Sequence, residues 1–280
     1  MNKLLYCFFL SFSVIATSAC TDDKEERELP PAPDFSLMIL KENLHSDGGD
    51  VLRTDTYVYD NNKLTTHTTL QEFYGQSLTH ETTLSYSGNE VTLADENGNT
   101  AIYILGSAGY ATECTYKLSD QVRKYTFTYS GEYLTRIDEE DRKSEEINST
   151  PYSSVELAYD DNGNLSHIIA NGLQTNYQAG NTENLYQLPC LQVCETYPLS
   201  FHNDAIYAGL LGRQSKHLII GNTPEENKEE YTKYTYELDE NEKPTEIIAK
   251  TTSTGTVIDI NGDAYDETKT DTRTIGITIE

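Results

Sequence analysis

The chain has 280 residues, 36% of them hydrophobic, with 21 tyrosines, no tryptophan and a formal charge of −26. That apolar content is enough for one sizeable all-β domain, and so acidic a surface excludes nucleic acid and anionic headgroups as partners. The charge itself reads as a solvated surface rather than an acidic binding site.

The amino terminus reads as an address. Lys3 precedes an apolar run from Leu4 to Ala16, shorter than the ~20 residues of a comfortable membrane span. Thr17-Ser18-Ala19-Cys20 follows. Small residues directly before a cysteine, at this distance from an apolar run, resemble a bacterial lipobox, which implies cleavage before Cys20 and a diacylglycerol group on its sulfur. Thr17 departs from the usual Leu, and a secretory signal cut near Ala19 is the alternative. Thr21-Asp22-Asp23-Lys24-Glu25-Glu26 resembles the acidic export signal of Bacteroidetes surface lipoproteins; as bare physics it is a solvated tether. Leu29-Pro30-Pro31-Ala32-Pro33 is a stiff extended spacer. The expected organisation is a signal peptide at 1–19, a lipidated Cys20 and tether at 20–33, and a single β domain at 34–280. The expected address is the outer membrane, facing the cell exterior, with the membrane as partner through the lipid on Cys20.

Along the domain, Phe35–Leu40 reads as an opening strand and Asp47–Asp50 as a turn. Arg53–Asp60 and Lys63–Phe73 form a first hairpin. Leu78, His80, Thr82, Leu84 and Tyr86 alternate with Thr79, Glu81, Thr83 and Ser85, the pattern of a strand with one face on a core and one in water. Val91–Ala94 and Ala101–Leu105 repeat strand, turn, strand. Tyr125, Phe127 and Tyr129 line one face of the next strand. Asp138–Ser154, rich in charge, reads as a long mobile hairpin loop, and Asn171–Pro198 as irregular. Phe201–Ile220 breaks the β pattern: Asp204 to Leu211, with Ile206, Tyr207, Leu210 and Leu211 as its apolar stripe and Gly212 as its stop, is the one short helix predicted. Its simplest role is a plug covering an end or face of a curved sheet. Asn222–Glu230 is an acidic loop, Tyr231–Leu238 and Thr245–Thr252 a hairpin, Asp259–Glu267 a turn-rich segment, and Arg273–Glu280 a closing strand.

One unit recurs. Leu157-Ala158-Tyr159-Asp160-Asp161-Asn162-Gly163-Asn164-Leu165-Ser166 reads as strand, tight turn, strand, with Asn-Gly supplying positive φ angles. Looser copies start at Tyr57, Leu84, Phe127 and Tyr234. The shared form is aromatic-x-Tyr, a polar turn, then Leu or Val with Thr or Ser. Sequential hairpins without a β-α-β rhythm predict an all-β, curved antiparallel meander, open or barrel-like.

These Tyr-Asp-x-x-Gly/Asn-x-Leu units behind a lipoprotein signal resemble an uncharacterised Bacteroidetes lipoprotein family, domain of unknown function 4595, described as porin-like in fold. Leu210-Leu211-Gly212-Arg213-Gln214-Ser215-Lys216-His217-Leu218 is similar to that family's Gly-Lys-x-Ser-Lys-Asn-Leu stretch, with Arg213 and His217 as departures. The resemblance implies a curved antiparallel sheet and no particular activity. It does not imply membrane insertion, because Thr65–Leu70 and Thr79–Thr83 put Thr, His and Glu across rows that lipid would have to accept.

The chemistry legible in the residues is sparse. Asp259-Ile260-Asn261-Gly262-Asp263 places oxygens at alternate positions, but Ala264 and Thr270 break calcium-loop spacing, so it reads as a plain turn. No nucleophile elbow, zinc-protease helix motif or phosphate loop is present, and no metal site or cofactor is predicted. Cys190 and Cys194 are close enough to staple a loop by a disulfide, or to remain buried free thiols. Tyr57, Tyr59, Tyr86, Tyr125, Phe127, Tyr129, Tyr159, Tyr234 and Tyr236 occupy like places in successive hairpins and stack into a ladder on one face. A structural ladder is sufficient explanation. In the functional version, rings among Tyr57, Tyr59, Tyr86, Tyr129, Tyr159 and Tyr236 stay exposed and stack on a glycan or peptide. The expected function is therefore a non-enzymatic binding module or envelope structural component, with a surface hydrolase acting on glycan or protein as the alternative.

Overall fold

The computed structural model describes residues 35–46, 49–118, 121–143, 150–258 and 264–280. They run up and down through sixteen strands. The first eight are β1 Leu37–Ser46, β2 Gly49–Asp60, β3 Lys63–Phe73, β4 Gln76–Ser87, β5 Glu90–Asp95, β6 Thr100–Leu105, β7 Ala111–Lys117 and β8 Gln121–Ser130. The others are β9 Tyr133–Lys143, β10 Thr150–Tyr159, β11 Leu165–Ala170, β12 Leu173–Glu183, β13 His217–Pro224, β14 Tyr231–Leu238, β15 Pro244–Ile258 and β16 Ala264–Ile279. Each pairs antiparallel with its sequence neighbours. β1 also pairs with β16, from Met38 opposite Ile279 to Glu42 opposite Ile275, which closes the sheet into a barrel. Of the two forms left open by the sequence, the closed one is found. Closure leaves no edge strand along the barrel wall.

The up-and-down course sorts the connections. The end holding Ser36 and Glu280, whose backbones bond to each other, is called the near end here. It carries the five copies of the recurring unit read from the sequence, as the turns β2–β3, β4–β5, β8–β9, β10–β11 and β14–β15, and the turn β6–β7. The far end carries β1–β2, β3–β4, β9–β10 and β15–β16.

Five near-end hairpins share a device that explains the Thr or Ser after each turn. In the register of β2 with β3, Val58 lies opposite Thr66 and Tyr59 opposite Leu64, so Thr65 is an extra, bulged residue. The same skip leaves out Thr112, Thr135, Ser166 and Thr245. Each of the five hydroxyls donates to the carbonyl of the facing strand: Thr65 to Val58, Thr112 to Ile104, Thr135 to Thr128, Ser166 to Ala158 and Thr245 to Glu237, at 3.0–3.2 Å. A bulge shifts the inward row by one residue. The buried positions therefore fall three apart, as Leu64 and His67, Leu134 and Ile137, and Leu165 and Ile168. Two of these turns, and the far-end turn β5–β6, supply their own donors' partners. Asp95, Asp160 and Asp239 each accept two backbone N–H groups, two and four residues on. These bonds hold the Asp160 and Asp239 carboxyls below the usual range.

The inward rows are mainly apolar, with buried polar residues such as Asp55, His67 and Glu139 among them, and the outward rows are largely polar. Tyr125 and Phe127 are buried on β8 while Lys124, Thr126 and Thr128 are exposed; Thr79, Glu81, Thr83 and Ser85 are exposed on β4, and Lys233, Thr235 and Glu237 on β14. This wall suits water. A bilayer would reject it, since Lys or Arg on the lipid face costs about 2–4 kcal/mol at the midplane.

Several expectations are corrected or extended. Asp138–Ser154 is not a free loop: β9 and β10 run through its flanks, paired from Asp138 opposite Ser154 to Asp141 opposite Thr150. The segment expected irregular from Asn171 contains β12, whose polar sequence hides a strand. The helix expected within 204–211 is present as α2, Asn203–Tyr207, preceded by α1, Leu191–Glu195, and a tighter turn at Leu199–His202. Cys20, the tether and the candidate calcium turn 259–263 lie outside the described residues.

The bulges give a sharp test. Thr135→Ala removes one hydroxyl hydrogen bond and should lower unfolding free energy by about 0.5–1.5 kcal/mol in urea titrations. Deleting Thr135 outright should leave the fold intact, because Leu134 and Ile137 then fall two apart and still face inward opposite Tyr129 and Phe127; loss of the folded barrel on this deletion would refute the register argument.

Candidate functional site

Between β12 and β13 the chain leaves the wall, and residues 184–216 fill the lumen. Leu188, Cys190, Val193, Leu199, His202, Ala205, Ile206, Leu210 and Leu211 are all buried there against the inward rows. The cavity left among Leu134, Leu157, Leu165, Val193, Leu211 and Ser215 is about 20 Å³, room for one water. The lumen is a packed core.

Four ties through a carboxylate, among other polar contacts, fix this plug to the wall. On the β2–β3 side, the His67 ring lies between two carboxylates, Nδ1 2.6 Å from Asp204 on α2 and Nε2 3.2 Å from Asp55. Arg53 and Thr69 also donate to Asp55. Burial works against the imidazolium, but hydrogen bonds and charge from Asp204 and Asp55 outweigh it and raise the His67 pKa to about 9. Burial likewise opposes the Asp55 carboxylate, yet hydrogen bonds from His67, Arg53 and Thr69 outweigh it and hold its pKa at about 2. Tyr57 stacks on His67 and on Tyr207, each at 4.2 Å. On the β8–β9 side, Glu139 is almost wholly buried and accepts from Tyr125 (3.1 Å), Tyr197 of the plug (2.6 Å), Arg123 (3.3 Å) and Ser153. Arg273 of β16 joins Glu42 of β1 to Glu195 of α1. Arg213 meets Glu132 at the β8–β9 turn.

His202, at the lumen's centre, is the opposite case. Burial alone pushes its pKa down to about 3, so it is neutral. The Tyr103 hydroxyl and the His202 Nδ1 share a hydrogen bond at 2.7 Å, and the rings of Tyr125 and Phe127 stand edge-on to the imidazole.

One arrangement resembles hydrolytic machinery. Thr69 Oγ1 is 3.4 Å from His67 Nε2, with Asp204 on Nδ1, the order hydroxyl, imidazole, carboxylate. It lacks a base. The Thr69 hydroxyl already donates to Asp55 at 2.6 Å, and a histidine charged to about pH 9 has no lone pair with which to take a proton.

The predicted aromatic ladder faces the lumen. Tyr57, Tyr125, Phe127 and Tyr234 are buried in it, and Tyr59, Tyr86, Tyr129, Tyr159 and Tyr236 are half-buried near the turns. Four of the latter donate their hydroxyls to backbone carbonyls, Tyr59 to Tyr207, Tyr86 to Leu64, Tyr129 to Ala111 and Tyr236 to Ile219. A structural ladder accounts for these contacts. Cys190 and Cys194 are free thiols here, as is Cys114; burial raises the Cys190 pKa to about 11, so it is no nucleophile.

Sequence reasoning missed the exposed aromatic cluster at the plug's other edge. Phe201 is 43% exposed and Tyr152 60%. They flank the Arg123 guanidinium, 5.0 and 5.8 Å from their ring centres, and Tyr197 and Tyr116 complete the group. These residues come from four separate segments with no shared spacing, and only the fold brings them together.

The recurring pH-sensitive element is His67. Its pKa, raised from 6.5 to about 9, contributes stability that is full below pH 6.5 and lost as pH rises through 9. Asp55, lowered from 3.8 to about 2, contributes stability that is full above pH 3.8 and lost as pH falls through 2. His202, lowered from 6.5 to about 3, contributes stability that is full above pH 6.5 and lost as pH falls towards 3. Stability should therefore be greatest in a window near pH 6.5, declining below it through His202 and towards pH 9 through His67. His67→Gln should be less stable in that window and decline less steeply above it; identical alkaline slopes in urea unfolding would show that His67 is not the cause.

Comparison with known proteins agrees with this architecture. A family model described as domain of unknown function (DUF4595) with porin-like fold matches residues 57–246. A porin-like protein from Bacteroides uniformis ATCC 8492, known from its crystal structure, is 30% identical with a TM-score of 0.74, over 89% of this chain and 99% of that one. A second porin-like protein, from Bacteroides vulgatus ATCC 8482, is 14% identical with a TM-score of 0.49, over 88% of this chain and 98% of that one. No curated protein matches the chain. With its recurring hairpins in the matched residues and a 30% identical relative matched over 99% of that chain, the chain belongs to the family of the domain of unknown function (DUF4595) with porin-like fold.

Proposed function

We propose that this protein is a lipid-anchored envelope protein whose plugged barrel stands in water and acts without catalysis, as a binding module or structural component. One observation carries the reading: the wall is polar outside and the lumen is packed solid. A barrel of this kind neither inserts among lipid tails nor conducts, so its hold on a membrane has to come from elsewhere. Cys20 supplies that hold in our reading. Two or more acyl chains anchor stably, each buried CH₂ adding ~0.8 kcal/mol. The porin-like relative from Bacteroides supports an envelope address, and the near end, where Ser36 and Glu280 meet, is the end the tether joins.

A tether at the near end leaves the far end for contact. There the exposed rings of Phe201 and Tyr152 are held rigid by Arg123 and Tyr197, so a ligand would meet preorganised aromatic surface. A glycan or peptide fits such rings. The lumen-facing ladder tyrosines would serve a ligand only if the plug moved. The hydrolase alternative gains no support from Thr69 and His67, whose imidazole is already protonated.

Three measurements test this. Wild type should incorporate labelled palmitate and Cys20→Ser should not; equal labelling would sink the anchor. Purified protein should add no conductance to planar bilayers, and stepwise currents would sink the plugged-barrel reading. Phe201→Ala with Tyr152→Ala should leave melting nearly unchanged yet abolish retention on a glycan or peptide array; retention equal to wild type removes this surface from consideration.

A further inference from the structure

The barrel wall does not end evenly at the far end. β15 and β16 run on as a two-stranded ribbon beyond both neighbours. On one side the last pairing among the described residues is Tyr231 of β14 with Thr252; on the other it is Glu42 of β1 with Ile275. Among the described residues, Ser253 to Ile258 of β15 and Ala264 to Thr274 of β16 pair only with each other's strand. Most side chains of this ribbon are exposed, on both faces. Cross-strand hydroxyls stiffen it: Thr254 and Thr268 lie 2.9 Å apart, and Thr256 donates to Asp266 at 3.0 Å. An isolated two-stranded ribbon is marginal in water, and a third strand is what usually completes it.

The β16 edge has a charge pattern that selects its partner. Glu267, Lys269, Asp271 and Arg273 follow one another on one face, with Thr268, Thr270 and Thr272 on the other. Signs alternate along the strand. An antiparallel copy of this strand paired about Thr268 therefore sets Glu267 opposite the second copy's Lys269, and by symmetry Lys269 opposite its Glu267. Pairing about Lys269 instead would set Glu267 against Asp271, acid against acid. Pairing about Thr270 would use Arg273, which Glu42 and Glu195 already hold, and would drive the second ribbon's tip towards β1. In the Thr268 register the exposed Lys269–Glu267 contact, 3.5 Å within its own strand, is exchanged for two contacts across the axis. Charges usually keep edge strands apart; here their order makes the edge complementary to itself.

We propose that this protein forms a two-fold dimer in which the β16 edges of two copies pair antiparallel about Thr268, joining two ribbons into a four-stranded sheet. The interface lies on a surface distinct from the Phe201–Tyr152 cluster and does not depend on what that cluster binds.

The test starts on whole cells with the full chain. Thr268→Cys places a thiol beside its own copy at the symmetry axis, so mild oxidation should yield a disulfide-linked homodimer, while wild type, with its own thiols, and Thr254→Cys should not. The barrel closes between Leu37 and Ile279, so residues 21–280 carry the complete fold for sedimentation equilibrium. Wild type should show concentration-dependent dimerisation. Lys269→Asp should weaken it at least tenfold, and Glu267→Lys with Lys269→Asp should restore it, because the pair is merely exchanged. A monomer at every soluble concentration overturns the proposal. So does a dimer indifferent to Lys269→Asp, a failure of the exchanged pair to restore it, or Thr268→Cys linking to a different protein with no homodimer.

Discussion

Sixteen strands enclose more space than their own inward side chains fill, and the rest of the structure is an answer to that. Eight strands suffice to pack a barrel with side chains, whereas sixteen leave an aqueous channel in a porin. Here the inward rows are tyrosine, leucine and isoleucine, which a wet lumen would leave hydrated at about 25 cal/mol per Å². The insertion between β12 and β13 removes that surface from water. Its own polar groups then need partners in the core. His67, Glu139, Arg273 and Glu132 supply them, two from the β16–β3 side of the wall and two from the β8–β9 side.

The near end shows how the plug is registered against the wall. Residues 210–217 run across successive turns and bond to their backbones: Leu210 accepts from Ala111, Arg213 donates to Glu132, and Lys216 donates to Gly163. Asn164 accepts from the His217 amide, and the Ser215 hydroxyl accepts from Leu165. At Gly212, φ is +82°, and a Cβ would sit 2.5 Å from the Glu132 carbonyl, so only glycine fits. The family-like stretch around Gly212 is thus a backbone strap across hairpin ends. Its requirement is steric, which accounts for a recognisable sequence with no chemistry attached to it.

Much of this was legible in the chain. Aromatic-x-Tyr followed by a turn and Leu correctly marked five hairpins and their inward face, because tight turns demand Asn and Gly and because tyrosine carries both a packing ring and a hydroxyl. What stayed hidden has definite causes. The bulged Thr65, Thr135 and Ser166 change the inward period from two to three for one step, so strict alternation loses the row at each return strand. The sixth copy at Tyr103-Ile104-Leu105 escaped notice because Leu105 stands where the others have tyrosine. β12 and the flanks of the β9–β10 hairpin were read as loops since their side chains are polar, yet in a closed wall a polar strand is held by its neighbours' backbones. The Arg123–Tyr197 and His67–Asp204 contacts join residues 74 and 137 positions apart along the chain, and no spacing announces them.

The likeness to porins is one of topology, with the faces exchanged. A membrane barrel puts its apolar row outward and its polar row on the lumen; this barrel puts Lys, Thr and Glu outward and Tyr, Leu and Ile inward. Both satisfy the same requirement, that a sheet of this size leave no unpaired backbone along its wall. They differ in which side is wet. Because strand side chains alternate, moving every side chain by one residue relative to the pleat converts one arrangement into the other without altering a single connection. The fold name therefore carries the closure and the order of the strands, and nothing about passage through the barrel. What the protein does has to be sought where the shared geometry ends: on the plug's exposed rings and along the ribbon that outruns the wall.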